Sequence, residues 1–550
     1  NVREVTMFAL ECGLIDMKRR GTMRSMLWAL CCAAFLWAFS CPASAAGIKE
    51  IVVAIESTPP HFNPALLSGS TVATVGAQLY AGLTRVDAAG NAMPYLAKSW
   101  KASPDGRSVR FELRENAFFH DGHPITSGDV AYSILMSREY HPFRPMLESV
   151  TRVDTPSPHT VIVRLSRPFP LLPKVLVPAL VPILPRHVFD NGHPLPTHPA
   201  NKKAVGSGPF MLESFTPDRS IRLVRNPRFF LPDRPIADRL TFRIFWDQGE
   251  IPLALASGEV DVYLFASCIQ LRRFLDGYKF APFTVLPLGN LHPYTVLSYN
   301  LRQKPFSDRK VRRAFALAID RNFLADRLLH GMVKPLSGPF PPGALFYTPL
   351  PAPHDIAEAN RLLDEAGYPR GKDGKRFSII VDYSPDSPLP RELLRLLQYE
   401  LAARLGIEVR TRDSESVSDW MRHVVTGDYQ VVLDELFAWY DPVIGIHRLY
   451  SKNNSDRGIV WTNSGGYAND TVEALMQQAT EEAIPRRRQT LYDRLQRELV
   501  EDNALLWLTT SPYALVAQPS LRHLEQLGLG LMSPLDGIEK VPSLFLGGNP

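Results

Sequence analysis

Cysteine is nearly absent from most of this chain. Only five cysteines occur in 550 residues, and four of them (Cys12, Cys31, Cys32 and Cys41) lie within the first 45 positions. Cys268 alone remains in the rest of the chain, which excludes an intramolecular disulfide there. A chain of this length does not need such crosslinks, because it can bury two or three hydrophobic cores. We therefore expect several globular domains without disulfides.

Motifs of common enzymes are also missing. There is no G-x-S-x-G elbow, phosphate-binding loop or H-E-x-x-H pair. Gly206-Ser207-Gly208 stands before Pro209 and is interpreted as a tight turn, not a nucleophile loop. Among the histidines, His193 and His198 lie in a proline-rich loop that is expected to be exposed. We predict no catalytic residue, no metal site and no cofactor.

Neither an excess of one charge nor a membrane-spanning run is present. The longest apolar run, Met26–Phe39, has 14 residues, whereas a span needs about 20. Basic residues precede this run and Ala43-Ser44-Ala45 follows it, a pattern that is typical of a secretory signal peptide. We expect cleavage after Ala45 and translation to begin at Met17 or Met23. A membrane anchor is the alternative. Cleavage would lower the net charge from +5 to +3, because five basic and three acidic residues are removed. Such a balance favours neither nucleic acid nor an anionic membrane as a partner.

The stretch 300–321, NLRQKPFSDRKVRRAFALAIDR, predicts a turn followed by an amphipathic helix. Ser307 is the expected cap, with Asp308 in the first turn. The apolar residues of the helix recur at its period and predict one buried face: Val311, Phe315, Ala318 and Ile319. The basic residues are expected to stay in solvent: Arg309, Lys310, Arg312, Arg313 and Arg321.

Two further regions show clear periodicity. Asp105-Gly106 predicts a hairpin turn, Val109, Phe111 and Leu113 alternate as a strand, and Ser127 is expected to cap a helix. Beyond residue 322, helical and strand patterns alternate: helix 358–368, strand 376–383, helix then strand 390–410, and helix then strand 416–437. This alternation predicts a mixed or parallel sheet covered on its faces.

Several of these strings, in this order, resemble the signatures of the extracytoplasmic solute-binding proteins of ABC importers, in the peptide/nickel-binding family (family 5). They are FHDGHPITSGDVAYSI, GSGPF, RNPRFF, LALASGEVDV and KPFSDRKVRRAFALAIDR. The resemblance implies an α/β, two-lobed periplasmic-binding-protein fold with mixed sheets, hinge crossovers and an extra α+β subdomain inserted in the first lobe. It also implies a periplasmic, monomeric, non-enzymatic protein that captures a peptide-like or opine-like solute between its lobes and delivers it to a membrane permease.

The domain boundaries expected from this resemblance divide the chain into six segments. They are 1–45 as upstream residues and signal peptide, 46–86 as the first part of lobe I, 87–204 as the inserted subdomain, 205–298 as the second part of lobe I, 299–511 as lobe II, and 512–550 as the return to lobe I with the tail. The two crossovers are expected near Ser298–Leu301 and near Thr509–Pro512.

The segment Leu436–Tyr450, LFAWYDPVIGIHRLY, is the best candidate for contacting solute. Peptide binders of the family carry an aspartate a few residues before the proline, and Phe437, Ala438, Trp439 and Tyr440 stand there instead. Asp441 is expected to cap the next helix. The full set of candidate ligand residues is Tyr80, Tyr299, Asn300, Phe437, Trp439, Tyr440, Asp441, His447, Arg448 and Trp461. Each has an ordinary packing or surface role as its alternative.

Three other functions stay open on sequence alone. The string A-x-Y-D-P also resembles the nickel-chelate binders of the same family, which makes a metal chelate an alternative solute. A periplasmic sensor or chaperone on the same scaffold is a further alternative. A secreted hydrolase is less favoured, since it would need a triad or a metal.

Overall fold

The computed structural model describes residues 49–66, 69–385, 391–455, 460–511 and 513–542. The described residues from Glu50 onward form one compact unit. The predicted signal peptide and its cleavage point lie outside the described residues. Within the described ranges, no helix combines the length and the apolar character that crossing a membrane requires.

Twenty strands occur in the described residues. They are β1 Glu50–Ile55, β2 Thr84–Val86, β3 Ala92–Pro94, β4 Ala97–Ala102, β5 Ser108–Leu113, β6 Val150–Ser157, β7 Thr160–Leu165, β8 Phe210–Thr216, β9 Ser220–Arg225, β10 Arg239–Ile244, β11 Val262–Phe265, β12 Thr284–Pro287, β13 Pro293–Tyr299, β14 Phe377–Tyr383, β15 Ile407–Arg412, β16 Val431–Phe437, β17 Leu505–Thr510, β18 Ala514–Ala517, β19 Leu521–Arg522 and β20 Glu539–Lys540.

The α-helices of the same residues number fifteen. They are α1 Ser70–Leu79, α2 Ser127–Tyr140, α3 Leu172–Val175, α4 Arg186–Phe189, α5 Ile251–Ala256, α6 Cys268–Gly277, α7 Arg309–Ala318, α8 Arg321–Phe323, α9 Ile356–Glu365, α10 Arg391–Glu400, α11 Val417–Thr426, α12 Pro442–Gly445, α13 His447–Tyr450, α14 Asp470–Glu481 and α15 Pro485–Asp502. Two π-helical segments, Leu324–Leu328 and Leu401–Leu405, continue α8 and α10.

A seven-stranded mixed sheet has the order β12-β18-β11-β1-β10-β9-β8. Its central strand β1 pairs in parallel with β10 and β11, whereas the outer pairs are antiparallel. Ile51 and Val53 of β1 are fully buried. A strand that is apolar almost throughout suits a position with both faces covered.

A five-stranded mixed sheet has the order β15-β14-β16-β13-β17. The pairs of β14 with β15 and with β16 are parallel, and the pairs of β13 with β16 and β17 are antiparallel. Helices α7 and α9 pack on this sheet through Val311, Phe315, Ala359 and Leu363. The predicted mixed α/β architecture is confirmed.

The chain between β1 and β8 of the seven-stranded sheet contains a four-stranded antiparallel sheet, β4-β5-β7-β6. Val109, Phe111 and Leu113 point into one core with Val161 and Val163 of the neighbouring strand. This confirms the alternating pattern of the sequence. The sheet lies inside the range expected for the inserted subdomain, whose boundaries stay predictions.

The chain crosses twice between the seven-stranded and five-stranded sheets. The first crossover lies between β12 and β13, at residues 288–292, because the whole of Pro293–Tyr299 pairs with β16. The expectation of a crossover near Ser298–Leu301 was therefore wrong, since the apolar strand before Tyr299 gave no sign of which sheet it joins. The second crossover lies between Thr510 and Ala514, close to its predicted place.

Two caps differ from prediction by one residue. Asp308, and not Ser307, caps α7, because its carboxylate accepts a hydrogen bond from the Lys310 amide at 2.8 Å. Thr126 precedes α2 and exchanges hydrogen bonds with Asp129, so Ser127 is the first helical residue.

Two arginines expected in solvent are buried. Arg312 donates to the backbone carbonyls of Phe306, Asp502 and Asn503, the last two at the end of α15. Arg321 donates to the carbonyl of Trp507 at 2.8 Å. A helical pattern places these side chains opposite the apolar face. It does not show that the end of α15 and strand β17 lie there with backbone carbonyl groups that accept hydrogen bonds from them.

Candidate functional site

Polar and aromatic side chains meet where the two large sheets are joined. Glu56 follows β1, and Tyr263 lies on β11 of the seven-stranded sheet; Glu435 and Phe437 lie on β16 of the five-stranded sheet. Ser511 and Tyr513 belong to the second crossover. We call this group the interlobe polar cluster, with the members Glu56, Gln248, Tyr263, Gln270, Thr295, Glu435, Phe437, Ser511 and Tyr513.

On one side of the interlobe polar cluster, Glu56 is held by two donors. The hydroxyl of Tyr263 donates to one carboxylate oxygen, and Nε2 of Gln248 donates to the other at 3.0 Å. Gln270 in turn donates to Oε1 of Gln248 at 3.3 Å. Burial and the adjacent Glu56 charge raise the pKa of Tyr263, so its hydroxyl keeps its proton and remains a donor.

On the other side, Glu435 is partly buried against the crossover. The Tyr513 hydroxyl donates to Oε2 of Glu435 at 3.2 Å, and the ring of Tyr513 packs edge-on against Phe437 at 5.5 Å. Thr295, opposite Glu435 on β13, exchanges a hydrogen bond with Ser511 at 3.1 Å. These contacts place Glu435 and Phe437 on the face of β16 that looks toward the seven-stranded sheet.

The electrostatics of Glu435 are unusual. Burial, assisted by the charges of Asp434 and Glu56, raises the pKa of this carboxyl to about 7, against hydrogen bonds from Ser511 and Tyr513 that lower it. Across the described residues, no lysine or arginine forms an ion pair with Glu435. A partly buried carboxylate without a counter-cation is unfavourable, so a positively charged group brought into the interlobe polar cluster would gain from it.

Asp434 occupies the opposite face of the same strand, as neighbouring strand residues do. Its Oδ1 accepts a hydrogen bond from Nε1 of Trp461 at 3.3 Å, and burial raises its pKa to about 7. It lines a cavity of about 30 Å³ together with Trp420, Trp461 and Asn463. That volume suits about two water molecules, which is too small for a solute.

The predicted ligand segment contacts the inserted region. Trp439 meets the ring of Phe143 edge-on at 5.8 Å, and the Tyr440 hydroxyl donates to the carbonyl of Lys174 at 2.5 Å. The Arg448 guanidinium lies 4.2 Å from the centre of the Phe143 ring and donates to the Trp461 carbonyl. Four of the predicted residues are therefore brought close together, at a boundary between the five-stranded sheet and the region of the four-stranded sheet.

The backbone here is tightly constrained. Trp439 and Trp461 both have left-handed φ values, +56° and +57°. A Cβ atom at Gly445 would collide with the Ala438 carbonyl oxygen, so only glycine fits there. Left-handed conformations of large residues are costly, and they cluster at ligand-binding and switch regions.

Asp441 caps α12 through a hydrogen bond from the Val443 amide at 3.0 Å, which confirms its predicted capping role. Both of its carboxylate oxygens also accept from Arg488, at 2.7 and 2.8 Å, in a buried ion pair. His447 lies beside this pair, and its Nε2 is 3.1 Å from the Tyr492 hydroxyl. Burial lowers the pKa of His447 to about 3, which keeps its ring neutral.

Three other predicted residues are buried away from the interlobe polar cluster. Tyr80 belongs to the core of the seven-stranded sheet. Tyr299 stacks on Phe306 with ring centres 4.5 Å apart, and Asn300 donates to the carbonyls of Gly427 and Tyr429. Ligand contact by the ten candidates remains a prediction.

Sequence reasoning missed most of the interlobe polar cluster. Glu56, Tyr263, Glu435 and Tyr513 come from four distant places in the chain, and only Phe437 was among the candidates. One signal was available: Glu56 directly follows a buried strand, and Tyr513 directly follows a predicted crossover, both positions where side chains reach an interlobe cleft.

The family described as bacterial extracellular solute-binding proteins, family 5 (middle region), matches residues 91–457. The chain belongs to this family. Its members are extracytoplasmic proteins that bind solutes for ABC importers. The relatives of this solute-binding protein include Protein XP55 of Streptomyces lividans, 27% identical over 84% of the chain and 83% of the relative. Another is the glutathione-binding protein GsiB of Shigella flexneri, 29% identical over 71% and 74%.

Solved structures share the fold of this solute-binding protein. AgaA of A. tumefaciens, in complex with agropinic acid, has a TM-score of 0.78 at 24% identity, covering 90% of this chain and 99% of its own. The oligopeptide-binding protein AppA of Bacillus subtilis, in complex with a nonapeptide, has a TM-score of 0.79 at 20% identity with the same coverage. These neighbours confirm the predicted two-lobed periplasmic-binding-protein fold.

Proposed function

We propose that this protein captures a small peptide-like or opine-like solute that carries a positively charged group, and that this group binds at Glu435 in the interlobe polar cluster. The observation that carries the proposal is the partly buried Glu435 carboxylate, with no ion-pair partner among the described residues. An α-ammonium or guanidinium group would supply the missing charge and lower the pKa of Glu435 toward its ordinary value.

The surroundings of Glu435 suit such a group. Tyr263, Phe437 and Tyr513 present aromatic rings, and a cation close to a ring face gains about 0.5–2 kcal/mol. Glu56 adds a second negative charge across the same space. The aspartate that peptide binders of the family carry before the proline is absent here, and Glu435 would take over its chemical role from a different position.

The comparisons support a solute of this class. The relative GsiB is a glutathione-binding protein, and AppA was solved with a nonapeptide. Peptides carry an α-ammonium group at one end and a carboxylate at the other.

The remaining features of the proposal follow the family. The protein acts in the periplasm as a monomer, catalyses no reaction, binds no nucleic acid and passes its solute to an ABC permease in the inner membrane. Closure of the lobes around the solute removes water from the charged contact and presents one joined surface to the permease.

Native mass spectrometry of the protein purified from periplasm, followed by denaturation, tests the proposal by identifying any released molecule. Calorimetry against a panel of di- and tripeptides, opines, glutathione and nickel–histidine then ranks the solutes. A ligand with an ammonium or guanidinium group is the expected result, and Glu435→Gln should weaken its binding about 30–100-fold, as loss of a buried charge pair does.

Glu525→Gln is the matched control, because Glu525 is an exposed acid on a 3₁₀ turn outside the interlobe polar cluster. It should leave binding unchanged. Tight binding of a solute without any positive group, or equal affinities of the Glu435→Gln variant and the native protein, would contradict the proposal. Selective binding of nickel–histidine would favour the metal-chelate function instead.

A further inference from the structure

Two histidines and an aspartate lie together on the surface of the inserted region. Asp121 and His123 belong to the turn after Phe119, and His187 belongs to the short helix α4. The three side chains are 30%, 61% and 31% exposed, respectively. None of them belongs to the interlobe polar cluster, so this group needs an explanation of its own.

The ligand atoms of these residues converge. Nε2 of His187 is 2.7 Å from Oδ2 of Asp121, and Nδ1 of His123 is 3.2 Å from Oδ1 of the same carboxylate. One ligand atom from each residue lies within 4.8 Å of the others. Ligand atoms around a tetrahedral Zn²⁺ are about 3.3 Å apart, given metal bonds of about 2.0–2.1 Å. Shifts of about 1 Å would therefore bring all three atoms onto one ion.

The turn that carries Asp121 and His123 is held in place by backbone hydrogen bonds. The Phe119 amide donates to the His123 carbonyl at 2.8 Å, the Gly122 amide donates to Phe119 at 2.9 Å, and Gly122 adopts φ +93°. His120 anchors the turn, since its Nδ1 accepts from the Gly206 amide at 3.1 Å. A rigid frame of this kind lowers the entropic cost of bringing ligands to an ion.

His187 is positioned from the other side. The edge of the Phe119 ring packs against its imidazole, with ring centres 5.7 Å apart. The rings of His123 and His187 stack at 4.0 Å with an interplanar angle of 28°. His187 and Asp121 alone would make an ordinary hydrogen-bonded pair that ties α4 to the turn. His123 adds the third ligand, because it supplies a second imidazole at the same carboxylate.

We propose that Asp121, His123 and His187 form a surface site for a divalent transition-metal ion, for which Zn²⁺ is the probe. Two imidazoles and one carboxylate are a ligand set that zinc, nickel and copper accept, and the remaining coordination positions stay open to water. Occupation of the site would crosslink the turn to α4 and stabilise the inserted region by mass action.

One nearby charge opposes the ion. A Cβ atom at Gly122 would lie 2.5 Å from Nη1 of Arg228, so this guanidinium stands directly beside the turn. Its positive charge disfavours a cation at the site. Replacing Arg228 by an uncharged residue should therefore increase the affinity for the metal, whereas replacing a ligand residue should decrease it.

The test uses the secreted protein without an affinity tag, stripped with EDTA and titrated with Zn²⁺ at pH 7.5 by calorimetry. Co²⁺ is titrated in parallel and followed by its visible absorption, which reports ligand number. The expected result is one ion per protein, a rise in melting temperature on zinc addition, and at least about tenfold weaker binding in His123→Ala and in His187→Ala. Arg228→Ala should bind more tightly than the native protein.

His193→Ala is the matched control, since His193 is an exposed histidine of the inserted region outside the site. It should bind zinc as the native protein does. The proposal is overturned if the native protein takes up no stoichiometric zinc, or if His123→Ala and His187→Ala bind as well as the native protein. Loss of binding in His193→Ala alone would place the ion in the proline-rich loop and equally overturn it. Because solute binding is measured separately, neither result depends on the proposed function.

Discussion

Replacing Glu435 by glutamine should stabilise this protein at alkaline pH while weakening its affinity for a positively charged solute. The carboxyl has a pKa of about 7 in the folded protein and 4.5 when unperturbed. Each pKa unit corresponds to about 1.4 kcal/mol, so the charged form costs about 3.5 kcal/mol in a fully enclosed setting. Solvent at this partly buried side chain reduces the cost to about 2 kcal/mol.

The sign of the pH dependence follows from the raised pKa. The folded state holds the proton more tightly than the unfolded state, so this group contributes stability that is fully present below pH 4.5 and is lost as the pH rises through 7. Glutamine resembles the protonated carboxyl. The variant should therefore unfold like the native protein at pH 4.5, and it should be about 2 kcal/mol more stable at pH 8.

Urea unfolding monitored by fluorescence at pH 4.5, 6 and 8 measures this difference, with melting temperatures as a second readout. Asp434→Asn is the matched control, because Asp434 is the neighbouring acid with a similarly raised pKa but faces the small cavity on the other side of β16. It should gain stability in the same way and keep its solute affinity. A Glu435→Gln variant whose stability relative to the native protein does not change with pH would refute the reasoning.

Three other predictions address parts of the fold that support the site. Asp441→Ala leaves Arg488 buried without its counter-charge and should cost about 3–5 kcal/mol in urea unfolding, whereas the double change with Arg488→Met should recover most of it. Arg312→Ala deprives three backbone carbonyls of their donor and should lower stability by about 3 kcal/mol; an unchanged melting temperature would contradict this. Tyr440→Phe removes the hydrogen bond to the Lys174 carbonyl and should weaken solute binding about fivefold in calorimetry. X-ray scattering of the variant should show a more open average shape. Equal affinities of the variant and the native protein would show that this contact does not hold the lobes together.

Much of the local structure was predictable because it depends on neighbours in sequence. Alternation of apolar residues identified β5, and the helical period identified the buried face of α7. Capping was predicted to within one residue, since several polar residues near a helix start are chemically able to accept the same amide hydrogen bond. Arg312 and Arg321 were misplaced, because their partners are carbonyl groups near the end of α15 and on β17, far along the chain.

The residues of the candidate site were also predicted only in part. The segment Leu436–Tyr450 was predicted as the region that contacts solute, and its aromatic residues do meet the inserted region through Phe143 and Lys174. Glu435, one residue before that segment, was not predicted. A charged residue on a strand is predicted to be solvent-exposed unless its neighbours are known. The neighbours of Glu435 come from the end of β1 and from the second crossover.

Many strands and helices, their order, and the family to which the chain belongs could be predicted from the sequence, because these depend on periodicity, turn residues and contiguous motifs. Three features are visible only in the folded chain. All of β13 joins the five-stranded sheet, Glu435 interacts electrostatically with Glu56 and has no lysine or arginine paired to it among the described residues, and His187 reaches the turn of Asp121 and His123. Sheet pairing, burial of charge and convergence of ligand atoms are set by contacts between residues far apart in the chain, so no local sequence pattern predicts them.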